Sequence, residues 1–88
     1  MGMPRPSQSP PGERKLRYVL YDLCVQWGYC IPPADQERIA ASKEITAEQF
    51  AIEVLKAEGF APEHEPERVK DIANFFVEKV GASSLTLE

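Results

Sequence analysis

Histidine occurs once, at His64, and cysteine twice, at Cys24 and Cys30. Three soft ligands fall short of the four of a structural zinc site, and C-x5-C is not the C-x-x-C of zinc ribbons or thioredoxin-like redox sites, so no metal and no cofactor is expected. Two cysteines also fall short of the disulfide framework that small secreted domains carry, so both are read as reduced thiols in a cytoplasmic protein. No apolar run approaches the ~20 residues of a membrane span, and no basic segment followed by an apolar stretch marks a secretory signal. Strand signals are missing too: there is no period-two run and no Asn-Gly or Asp-Gly hairpin dipeptide. With 88 residues the chain allows one domain. A domain of that size buries only about 60% of its unfolded surface, which leaves little room for a deep pocket. No enzyme activity is expected.

What is present is charge, unevenly placed. Ten Lys and Arg face fourteen Asp and Glu, a net charge of −4. Residues 1–30 hold Arg5, Arg14, Lys15 and Arg17 against Glu13 and Asp22, a net +2, while residues 31–88 hold six basic and twelve acidic side chains, a net −6. Only the short Arg14-Lys15-Arg17 patch therefore offers phosphates anything, because counterion release needs cations at the contact. Residues 1–12 carry four of the eight prolines with two glycines and two serines. That composition predicts a disordered Pro-rich N-terminal arm over 1–12.

Apolar spacing predicts an all-α fold: a single small domain of four short helices over residues 13–81. A first helix from Glu13 to Trp27 would bury Leu16, Val19, Leu20, Leu23 and Trp27, with Gly28 ending it. Pro33 can open a short second helix to Ser42 that buries Ile39. Thr46 with Gln49 reads as a capping box for a third helix, which ends at Gly59 with Phe60 folded back. Pro66 opens a fourth helix with Val69, Ile72, Ala73, Phe76 and Val80 on one stripe and Gly81 at its end. Residues 82–88 are expected to form a flexible tail, in which Leu87-Glu88 reads as a cloning remnant of no weight in the fold.

The segment Ile39-Ala40 … Ile45-Thr46 … Phe50 … Val54 resembles a helix-turn-helix over about 20 residues. That resemblance implies nucleic-acid binding through the helix that begins after Thr46, assisted by Arg14, Lys15 and Arg17. Two departures stand out. Glu44 occupies the turn position that prefers glycine, and the outward residues Ala47, Glu48, Gln49, Ile52 and Glu53 supply no cation for phosphates or guanine edges. The same stretch is similar to an EF-hand whose ligands are gone. With Ile45 at the eighth loop position, Arg38 and Ala40 fall at the first and third, and Gln49 replaces the bidentate glutamate.

All three tyrosines lie between positions 18 and 29. On a helical wheel Tyr18, Tyr21 and Val25 fall away from the core stripe of the first helix, so that helix is apolar on two faces. Either its neighbours wrap both faces, or Tyr18, Tyr21 and Val25 form an interaction surface for a protein partner or a second copy. The expected role is a non-catalytic, cytoplasmic protein-interaction or accessory module. The alternative is a helix-turn-helix-like nucleic-acid-binding regulator, although nucleic acid is not the favoured partner.

Overall fold

The computed structural model describes residues 11–87. The fold is all-α with four helices: α1 (Pro11–Trp27), α2 (Pro33–Ala40), α3 (Ala47–Ala57) and α4 (Pro66–Val80). Most of the arm expected over 1–12 lies outside the described residues. Pro11 and Gly12, however, lie within α1.

Three of the four helices stop at a glycine. Gly28, Gly59 and Gly81 take positive φ just past α1, α3 and α4. After α3 the Phe60 amide donates to the Leu55 carbonyl at 2.9 Å and the Gly59 amide to Lys56 at 3.1 Å, closing both bonds of a Schellman turn. At its start the Thr46 hydroxyl accepts from the Gln49 amide at 3.1 Å, and the Gln49 side chain accepts from the Thr46 amide at 3.2 Å. The capping box is complete.

The flexible tail is corrected. Ser84–Thr86 forms a strand, β2, antiparallel to β1 (Glu44–Thr46), with Ile45 opposite Leu85. Amides of Ala47 and Leu87 extend the ladder to the carbonyls of Ser83 and Lys43, both at 2.8 Å. Leu87, given no weight from the sequence, is buried in the core. Three-residue strands are too short to show a period-two pattern, so nothing in the spacing announced them. This ladder also holds the start of α1. A Cβ on Gly12 would lie 1.9 Å from the Thr86 carbonyl oxygen, so only glycine admits so close a backbone.

One core joins all these elements: Leu16, Val19, Leu20 and Leu23 of α1, Ile39 of α2, Ile45 of β1, Phe50, Val54 and Leu55 of α3, and Ile72, Phe75 and Phe76 of α4. Contacts from Asp22 to Lys79, Trp27 to Phe75 and Tyr29 to Arg68 set α1 antiparallel to α4. α4 packs against both α1 and α3. Phe76 meets Phe50 of α3 with ring centroids 5.0 Å apart, and Phe75 meets Trp27 of α1 at 5.2 Å. Phe75 stood outside the expected stripe because that stripe assumed a single buried face.

Trp27 is a second correction. It lies on the core side of the wheel, yet it is 44% exposed. Its indole packs against the Phe75 ring on one side and is left in water on the other.

Candidate functional site

The outer face of α1 is built by the same periodicity that builds the core. Leu16, Leu20 and Leu23 point inward and are buried; Tyr18, Tyr21 and Val25, about half a turn away, are 72%, 65% and 62% exposed. The other helices do not wrap both sides of α1. With Arg14 and Pro11, both also exposed, these residues line one stripe along the whole helix. Tyr29, the remaining tyrosine, does something else: its hydroxyl accepts from Arg68 Nη1 at 2.8 Å and ties the chain after α1 to α4. The Arg68 guanidinium also lies 4.6 Å over the Phe60 ring and donates to Glu65 at 2.9 Å.

Cations beside the stripe differ in how free they are. Arg14 and Lys15 are exposed at the N-terminal end of α1. Arg17 is committed, bonded to Glu13 at 2.8 Å and to Glu37 of α2 at 3.2 Å. Those two hydrogen bonds, Glu13 first, hold its proton more tightly than that of a free arginine. The three residues expected to act as one phosphate-facing patch are thus divided. The helix-turn-helix-like pair is altered in a similar way. Six residues, Ala41 to Thr46, separate α2 from α3, and Glu44 lies in β1 instead of a tight turn. Arg38, which could have faced a phosphate, is bonded to Glu53 of α3 and to Asp35.

The reading of Cys24 and Cys30 as free thiols is also corrected, for the two sulfurs are joined. Gly28, with φ +81°, reverses the chain directly after α1 and returns Cys30 to the last helical turn, with the two Cα atoms 4.3 Å apart. The bridge closes the segment that carries Val25 and Trp27, and so fixes the C-terminal end of the exposed stripe.

A further concavity lies away from this face. It is an open groove of about 920 Å³ between α3, the 3₁₀ turn Pro62–His64 and the first half of α4, with Ile52, Val69 and Ala73 along it and Lys56, Glu63 and Lys70 at its edges. No histidine or cysteine lines it, and its lysines and glutamates are of both signs. His64 is exposed in the neighbouring turn. Among the described residues no three His, Cys, Asp or Glu side chains converge on a common point. Comparison with known protein families, curated proteins and solved structures finds no match to this chain.

Proposed function

We propose that this protein is a non-catalytic interaction module whose docking surface is the outer face of α1. One observation carries the reading: Tyr18, Tyr21 and Val25 remain exposed on a helix whose opposite stripe buries Leu16, Leu20 and Leu23 in the core. Tyrosine suits such a surface because its ring buries a large apolar area while its hydroxyl keeps a hydrogen bond. A photo-crosslinking amino acid at position 21 should trap a protein in the cells that make this chain. The same group at exposed Asn74 of α4 should not. Equal trapping at both positions, or none at position 21, overturns the reading. DNA retention that weakens steeply with added salt would replace it with the nucleic-acid reading.

No helix among the described residues is long and apolar enough to cross a membrane. The cytoplasmic site of action proposed from the sequence rested on free thiols, and the Cys24–Cys30 bond now provides its test. Alkylation in rapidly quenched cells should find both thiols free if the protein works in a reducing cytoplasm; a fully blocked pair places it in an oxidising compartment.

A further inference from the structure

The exposed stripe of α1 runs through positions 14, 18, 21 and 25, with steps of four, three and four. That is the seam spacing of a helix that pairs with another helix. The order of steps is also the same read in either direction. Reversal about the midpoint between Tyr18 and Tyr21 exchanges 18 with 21 and 14 with 25. A stripe of this kind is complementary to itself when two copies run antiparallel.

Charge selects the same direction. Arg14 and exposed Lys15 lie at the N-terminal end of α1, and the last turn of the helix carries no basic residue. The last carbonyls of a helix bear partial negative charge, which a cation stabilises. Antiparallel pairing brings Arg14 and Lys15 of each copy to that end of the other, which carries no cation of its own. Parallel pairing would set the four cations side by side. The rest of the surface repels a second copy, since residues 31–88 carry a net −6.

We propose that a second copy of this chain covers the outer face of α1, the two helices pairing antiparallel about a two-fold axis between Tyr18 and Tyr21. This rests on the reading of that face as a docking surface and names its occupant. Each tyrosine would meet the other tyrosine of its partner, and Val25 would meet the stem of Arg14. A buried aromatic side chain covers about 150–250 Å², so two tyrosines with Val25 give roughly 400–600 Å² per copy. Counted over both copies this is roughly 800–1,200 Å², below the ~1,600 Å² of a standard interface, so the dimer is a weak, reversible one.

Sedimentation of the full chain should show a closed monomer–dimer equilibrium with half-dissociation on the order of 100 µM. Tyr21→Glu should weaken it at least tenfold with an unchanged far-ultraviolet spectrum. Photo-oxidative dityrosine formation then reads the register. Tyr18→Phe alone and Tyr21→Phe alone should each lose the covalent dimer, and a mixture of the two variants should restore it. If either variant alone keeps the crosslink, the pairing is parallel and the proposal falls. A monomer at about 1 mM also overturns it. A hetero-partner trapped at position 21 would then leave the docking reading standing. A dimer indifferent to Tyr21→Glu removes the proposal, and trapping at position 21 then decides the docking reading alone.

Discussion

Leu23 and Tyr21 sit two positions apart on α1 and meet opposite surroundings: Leu23 is fully enclosed by the core, while Tyr21 is 65% exposed. Truncating Leu23 removes apolar contacts that relaxation cannot replace, so Leu23→Ala should cost ~2–5 kcal/mol. Tyr21→Ala should change stability by no more than about 0.5 kcal/mol, as substitutions away from packed groups do. Chemical denaturation of the two variants checks the pair. Comparable losses would mean that the outer face is part of the fold and not a surface. Single residues also show where helical periodicity stops being informative. Tyr18, Tyr21 and Val25 separate from the core stripe by angle alone, and the structure leaves them exposed as that angle requires. Trp27 shares the core's angle and packs on Phe75, yet it is still 44% exposed, so angle alone does not fix burial.

Elements were legible in proportion to how much local chemistry marks their ends. Thr46, Gln49, Gly59 and Phe60 delimit α3 in the sequence, and all four make the expected capping bonds. Thr46→Ala should therefore cost about 1 kcal/mol, measured by thermal melting, because the Gln49 amide loses its acceptor. β1 and β2 carry no such marks. Their pairing is decided by partners some forty positions apart, and two runs of three residues with mixed polarity give no local pattern. The consequence is a third prediction. Leu87 follows β2 and is buried, so Leu87→Ala should cost ~2–5 kcal/mol, a core penalty from a position that reads as a tail. A loss under about 0.5 kcal/mol would show that β2 frays in solution. The buried face of α4 has the same lesson at larger size. Ile72 and Phe76 follow from spacing, whereas Phe75 needed the knowledge that α1 lies against that side.

The whole molecule joins a net-positive first third to a net-negative remainder, and α1 is the longest element of the former. That asymmetry was readable as composition, and so were the residues of its outer face. The Cys24–Cys30 bond was not readable, because a six-residue separation allows or forbids a bridge according to the turn at Gly28, and no residue type specifies that turn's closure. The bond acts on the molecule by restricting the unfolded chain. Closing a loop this short removes enough chain entropy to contribute about 2 kcal/mol. A Cys24→Ser/Cys30→Ser variant, or the wild type held with a dithiol reductant, should melt roughly 10 °C lower, given the shift per kcal/mol of a small domain. The effect should also be uneven. Tyr29 keeps its bond to Arg68, and Ile31 stays buried, so the helices α2 to α4 retain their contacts. Amide exchange should speed up most over residues 25–30, where the chain is no longer closed, and least at Phe50 and Phe76 at the centre of the core. Uniform acceleration throughout would mean that the bridge holds the whole fold together. No change at all, in melting or exchange, would mean that the two sulfurs are not joined in solution.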